Sequence, residues 1–213
     1  MLIKLNKTSK MNCFSFSLDA NLCNIGSKLR KIENSTCSKC YAFKGNYHYP
    51  SVKKNRQTNL KHLNSSYFVF VMSYQLKDLR YFRWFDSGDI PSMKALLKIV
   101  KIAKNTPSTK HWLPTREFGL IKKYLKYRSF PQNLLVRLSA PMIDGTPPAG
   151  FDFTSTVHNK SKAIGFECLA PKQKNNCLDC RSCWSRKYKN ISYREHWSGS
   201  ISVIDQTSLV AIQ

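Results

Sequence analysis

The sequence predicts an α/β protein, specifically an incomplete β/α barrel of parallel strands with a cysteine-rich loop on its carboxyl-terminal side. Three observations carry that expectation. From Tyr81 onward a unit recurs: an aromatic or β-branched run, a polar cluster, then an amphipathic stretch. Such runs return at intervals of roughly 23 to 30 residues, the rhythm of βα units that pair in parallel. Polar groups also recur at the same point of successive units, and residues 168–190 concentrate four of the eight cysteines. With 213 residues and a hydrophobic fraction of 42%, the chain can bury one substantial core, so residues 1–213 read as a single domain with 168–190 as a metal-binding loop.

The first strand is expected in FSFSLD, Phe14 to Asp19, where apolar and polar residues alternate. Cys13 just before it reads as a small buried hydrophobe. A polar, cysteine-bearing segment follows, and after Pro50 the pattern turns helical from Ser51 to Asn64, with Lys53, Lys54, Arg56 and Lys61 facing solvent or a polyanion. Ser66 to Leu79 is apolar and fits no single period. RYFRWF then begins the repeating units, followed by DSGD and a helix from Met93 to Lys104, with Met93, Leu96, Leu97, Val100 and Ala103 on one face. Pro91 suits that helix's first turn, and Asp89 its positive end. KHWLP, TRE and a helix from Phe118 to Arg128 make the second unit. LLVRLSAP with a Gly/Pro-rich loop makes the third, and AIGFE, running into Cys168, the fourth.

In parallel sheets functional side chains gather at the carboxyl ends of the strands. Here those ends carry Arg83, Asp86, Ser87 and Asp89, then Thr115, Arg116 and Glu117, then Arg137 and Ser139, and finally Glu167. A strand-end pocket of Arg83, Asp86, Ser87, Asp89, Arg116, Glu117 and Arg137 is therefore expected. Loop and helix-cap chemistry is the alternative use for the same residues.

Cys168, Cys177, Cys180 and Cys183 carry the strongest chemical signal. The last three stand at strict intervals of three, a close-set rhythm suited to an iron–sulfur cluster, most simply a four-iron cube. Zinc is the rival, although its four-thiolate sites usually pair cysteines as separate knuckles. Cys37 and Cys40 form a second chelating pair, with Cys23 upstream. The polar loop before them favours a metal over a thioredoxin-like dithiol. Two arrangements stay open: a four-thiolate cluster with a separate three-cysteine site, or one cluster drawing on both ends of the chain. Tyr41, Trp184 and Trp197 are candidates to shield it, and the five histidines show no ligand spacing.

Thirty-five Lys and Arg against twelve Asp and Glu leave a net charge of +23. An excess of that size calls for a polyanion, with nucleic acid the first candidate. Lys172, Lys174, Arg181, Arg186, Lys187 and Lys189 surround the cysteine-rich loop and are the expected contacts. No apolar run is long enough for a membrane span and the first residues lack a secretory pattern, so a cytoplasmic location is expected.

Taken together, CSKCYAFKG, FRWFDSGD, PTRE and CLDCRSCW resemble a phage protein family known by a gene-product number, over most of residues 23–190. That resemblance implies a phage protein in the host cytoplasm and hands over no reaction. More distantly the chain is similar to radical SAM enzymes, which carry a three-cysteine loop after the first strand of a full or partial barrel. Cys37, Cys40 and Tyr41 match the end of that loop, and Ser87, Gly88 and Asp89 fall where the family's second motif lies. The family's first cysteine would fall at Glu33, and Lys39 stands where an aromatic residue is usual. The similarity implies an iron–sulfur cluster with an iron open to SAM. The expected functions are thus electron transfer, redox sensing or cluster-stapled nucleic-acid binding, with a redox partner; a radical-SAM-like enzyme; or a zinc-stapled nucleic-acid-binding module.

Overall fold

The computed structural model describes residues 2–195, apart from the side chains of Asn46 and His48. Eight strands form one sheet: β1 (Asn6–Lys7), β2 (Phe14–Phe16), β3 (Tyr81–Trp84), β4 (Lys110–Thr115), β5 (Leu134–Ile143), β6 (Thr154–His158), β7 (Phe166–Glu167) and β8 (Asn190–Arg194). Their order is β1-β2-β3-β4-β5-β6-β8-β7, antiparallel only between β1 and β2 and parallel at every other pairing. The expected α/β architecture with parallel strands is present as an open, mostly parallel sheet.

Among the described residues five α-helices accompany it: α1 (Asn24–Leu29), α2 (Pro50–Asn64), α3 (Phe68–Leu76), α4 (Met93–Asn105) and α5 (Phe118–Leu125). In α4 the residues Leu96, Ile99, Val100 and Ala103 recur at helical spacing and are buried, while Ser92 caps the first turn by accepting from the Ala95 amide at 3.2 Å. Asp89, expected at that helix end, is used elsewhere, and the short hydroxyl of Ser92 reaches the amide instead. The ambiguous segment after Ser66 folds as α3. Phe68, Met72 and Leu76, four residues apart, form its buried stripe and leave Phe70 and Tyr74 outside. Burial of that stripe outweighs the β preference of its Phe and Val residues.

Alternation along the strands divides the sheet into two unlike faces. Phe16, Phe82, Trp84, Leu113, Val136 and Leu138 point to one side and pack on Leu63, Met72, Leu96, Ile99 and Ile121 of α2 to α5. Trp84, Phe16 and Phe82 are fully buried there, each worth about 1.5–3 kcal/mol of transfer free energy. The opposite face presents Tyr81, Trp112, Ile191 and Tyr193, and no helix of that core covers it. Its cover is Met11 and Cys13 from the amino-terminal segment together with Ala170, Cys177, Cys183 and Trp184.

The fourth unit differs from the expectation. The strand next to β5 is β6, Thr154–His158, and AIGFE supplies only the two-residue edge strand β7. Asn190 Nδ2 takes the Ile164 carbonyl at 2.6 Å, which removes that acceptor from strand pairing. β6 is β-branched but polar, and its hydroxyls bond sideways, Thr154 to Asn190 Oδ1 at 2.8 Å and Thr156 to Ser192 at 3.2 Å. Among the described residues no helix is long and apolar enough to cross a membrane.

Candidate metal centres

The first thiol group forms in the segment after β2. Asp19 accepts from the Asn21 amide at 2.9 Å and starts the turn that ends at Cys23 and α1. Gly26, inside α1, lies against two sulfurs. A Cβ there would stand 2.9 Å from Cys23 Cβ, 3.6 Å from Cys23 Sγ and 3.7 Å from Cys37 Sγ. Glycine at this point lets the helix pass so closely that Cys23, distant in sequence, meets Cys37. The loop is fastened from outside: Thr36 N donates to Pro141 O at 2.8 Å, and Ser35 bridges to Met142 beyond the buried part of β5. Burial, then Asp89 and the Cys40 and Cys37 sulfurs, push the Cys23 thiol up to about 12. Burial raises Cys40 as well, with Cys37 adding and Arg116 and Arg30 opposing.

DSGD and TRE sit beside this group and are already bonded. Phe85 adopts φ 52°, a left-handed conformation costly for an aromatic residue, and turns the chain sharply after β3. Gly88 follows with φ +80°, and a Cβ there would stand 2.8 Å from Leu18 Cβ and 2.9 Å from Leu18 O. Ser87 donates to that same carbonyl at 3.0 Å. Asp89 accepts from Thr115 Oγ1 at 2.6 Å, from its neighbour Ile90 N at 2.7 Å and from Arg116 N at 2.8 Å. Burial still raises its pKa against those bonds. Glu117 accepts from Ile25 N at 3.1 Å and so pins α1 to the end of β4. Arg116 lies within electrostatic reach of Cys23, Cys40 and Asp89, and its Nε is buried with no partner in the structure.

Arg137 does not join this pocket. It lies mid-strand in β5, fully buried, and donates to carbonyls of the carboxyl-terminal segment. β5 runs on to Ile143, so the strand end is farther along than Arg137 and Ser139.

The second thiol group lies on the helix-free face. Cys168 N donates to Ser192 O and Cys177 N to Lys10 O, both at 2.8 Å, so β8 and the amino-terminal segment hold the loop from two sides. Lys174, Asn175 and Leu178 all have positive φ, the strained winding by which a short segment turns its cysteines inward. Cys168, Cys177 and Cys183 are raised by burial and by neighbouring thiols, among them Cys180, and Cys183 reaches about 12. Cys13 adjoins Cys177 electrostatically and packs in the same cluster. Its distance in sequence gave no signal of that. Arg181 Nη1 donates to Leu178 O at 2.6 Å and Cys180 O at 2.8 Å, so it clamps the loop from within.

One side chain lies between the two groups. Arg83 Nη2 donates to the hydroxyl of Tyr41, the residue after Cys40, at 3.4 Å, and its guanidinium stacks 4.8 Å over Trp112. Tyr41 in turn donates to Asp86 O, while Asp86 accepts from Ser15 at 2.8 Å and Tyr47 at 3.3 Å. On its other side Arg83 acts on Cys183, whose Sγ lies 3.4 Å from the Tyr193 hydroxyl. Arg83 and Asp86 thus belong to a link between the thiol groups, and Ser87, Asp89, Arg116 and Glu117 to the rim of the first.

Seven thiols in two sets are soft donors suited to iron–sulfur clusters or zinc. Among the described residues no three His, Cys, Asp or Glu groups converge tightly enough for a single metal ion. Around the second loop Lys174, Arg186, Lys187 and Lys189 are exposed, whereas Lys172 pairs with Glu167 at 3.3 Å. Trp184 is buried beside Cys183, Tyr41 is 46% exposed, and Trp197 lies outside the described residues.

A family model described as Gene product 88 matches residues 2–186. No curated protein matches, and no solved structure matches.

Proposed function

The chain belongs to the Gene product 88 family, and from that premise we propose that it is an iron–sulfur redox protein with two centres, one open to a small molecule. The observation that carries this reading is the approach of Cys23 to Cys37 against Gly26, beside DSGD and TRE. Three thiolates satisfy three irons of a cube and leave the fourth accessible, whereas structural zinc asks for four closed ligands. Thiols within electrostatic reach of one another at strict three-residue spacing suit a polynuclear centre better than the paired knuckles of zinc.

The open position would face the carboxyl ends of β2, β3 and β4, where parallel sheets bind small ligands. On this reading the chain is radical-SAM-like, a partial β/α barrel with SAM as the small molecule, and the bound cluster supplies one-electron chemistry. The chain's own groups bind and orient. Arg116 would hold a ligand carboxylate, Asp89 and Glu117 hold α1 and the strand ends in register, and Tyr41 and Tyr47 donate to Asp86. Cys168, Cys177, Cys180 and Cys183 hold the second, closed cluster.

The rim of exposed Lys174, Arg186, Lys187 and Lys189 on a chain of net charge +23 favours a second reading, in which nucleic acid is the partner or the substrate.

Anaerobic purification with iron, sulfide and EPR analysis tests the proposal. About eight irons and eight sulfides per chain are expected for two cubes, and zinc without sulfide overturns the reading. Calorimetry then tests the open site: SAM binds the loaded protein and not the Cys37→Ala variant. Absence of SAM binding to protein holding both clusters leaves an electron carrier and removes the enzyme.

A further inference from the structure

Among the described residues Arg137 is a cation without a countercharge. It is fully buried, and among the described residues no carboxylate pairs with it. Its three nitrogens instead reach six carbonyls, those of Thr154, Ser182, Cys183, Ser185, Tyr188 and Lys189, at 2.7–3.5 Å. Carbonyl dipoles satisfy its protons but leave a full positive charge in a low-dielectric interior, a costly arrangement unless an anion lies near. Five of the six carbonyls belong to residues 182–189, the segment that carries and follows Cys183. Cys183 and the adjoining Tyr193 are the acidic groups that act on it electrostatically, both neutral when protonated.

We infer that Arg137 is a positioning residue whose buried charge balances an anionic four-thiolate cluster at Cys168, Cys177, Cys180 and Cys183, and thereby raises the potential at which that cluster accepts an electron. The inference rests on the iron–sulfur reading above. A cluster with four thiolates is an anion, and one added electron makes it more negative. A fixed cation therefore stabilises the reduced form more than the oxidised one. Lys10 near Cys168 and Cys177, Arg181 near Cys177 and Arg83 near Cys183 act in the same sense, while Glu167 near Cys168 opposes them. Those three cationic side chains are half-buried, whereas Arg137 is fully buried and donates to the Cys183 carbonyl at 3.3 Å.

The test uses full-length protein carrying Cys37→Ala and Cys40→Ala, so that only the second centre loads, with electrons supplied by mediators of known potential. Iron and sulfide are measured first, and a parent without sulfide sinks the iron–sulfur reading itself. With the cluster present, Arg137→Met is expected to lower its midpoint at least tenfold in reduction equilibrium, ~59 mV for one electron. Arg137→Lys, which keeps the charge and loses most of the hydrogen bonds, is expected to stay at the parental midpoint. An unchanged midpoint in Arg137→Met overturns the inference, as does a lowered one in Arg137→Lys. Should Arg137→Met fail to hold a cluster, Arg137→Lys decides. Loading at the parental midpoint supports a charge role, and failure alongside Arg137→Met makes the residue a structural clamp only.

Discussion

Trp184 donates its indole N–H to the carbonyl of Phe82 at 3.0 Å, joining residues 102 apart in the chain. The bond seats the cysteine-rich loop on β3, and Trp112 and Tyr81 meet the Trp184 ring edge-on with centroids 5.5 and 5.3 Å away. Trp184→Phe keeps the ring packing and loses the hydrogen bond, at a cost of about 0.5–1.5 kcal/mol. Trp184→Ala also empties the site and costs about 3–5 kcal/mol. Urea unfolding of both variants checks the order: no loss in Trp184→Phe would mean that the hydrogen bond contributes nothing, and equal losses that the ring packing does.

Gly88 is the tightest point between β2 and the strand-end loop. Gly88→Ala must place a methyl against the Leu18 carbonyl at an unfavourable φ, which costs about 1–3 kcal/mol. The expected readouts are a lower urea midpoint and loss of metal at the first centre before the second.

Cys23 and Cys13 look alike in sequence, as single cysteines near the first strand, but they have different surroundings. Cys23→Ser is expected to remove about half of the iron and sulfide, because two thiolates do not hold a cube. Cys13→Ala is expected to retain both centres, since Cys13 lies against Thr8 at 3.5 Å and four other thiols fill the second set. Metal analysis of the two variants side by side separates these outcomes.

His111 is fully buried between Trp84 and Thr106, and desolvation pulls its pKa down to about 4. Thr106 donates to Ile102 O, so Nε2 carries the proton that Thr106 accepts at 2.8 Å, and Nδ1 has no partner. The unfolded chain takes up a proton near pH 6.5 and the folded chain near 4. The contribution is therefore intact above pH 6.5 and lost as pH falls from there to about 4, some 3 kcal/mol in all by about 1.4 kcal/mol per pH unit. Unfolding free energies of the native chain and His111→Gln, measured across that window, should converge as pH falls.

Binding to single- or double-stranded DNA should weaken linearly with the logarithm of salt concentration. Replacing Arg186, Lys187 and Lys189 by Gln should lower the slope by about 1 per lost phosphate contact. A salt-independent affinity would remove the polyanion reading.

Sequence by itself determined the elements whose signal is local. Apolar spacing at period 3.6 marked α4, alternation marked β2, aromatic and β-branched runs marked β3 and β4, and the regular spacing of Cys177, Cys180 and Cys183 marked one thiol set, because each depends on residues a few positions apart. Phe68–Leu76 stayed ambiguous since its β-forming residues oppose its helical stripe, and packing on α4 resolved it. β6 was hidden because its Thr and Ser side chains are satisfied only by Asn190 and Ser192, distant partners that a local pattern does not contain. Tertiary structure alone brought Cys23 to Cys37 past a glycine, placed Cys13 beside Cys177, moved Arg137 from the strand-end pocket to the core of the second loop, and set Arg83 between the two groups. Each of those depends on chain segments meeting across the sheet, and such meetings are fixed by three-dimensional packing and hydrogen bonding rather than by neighbours in the chain.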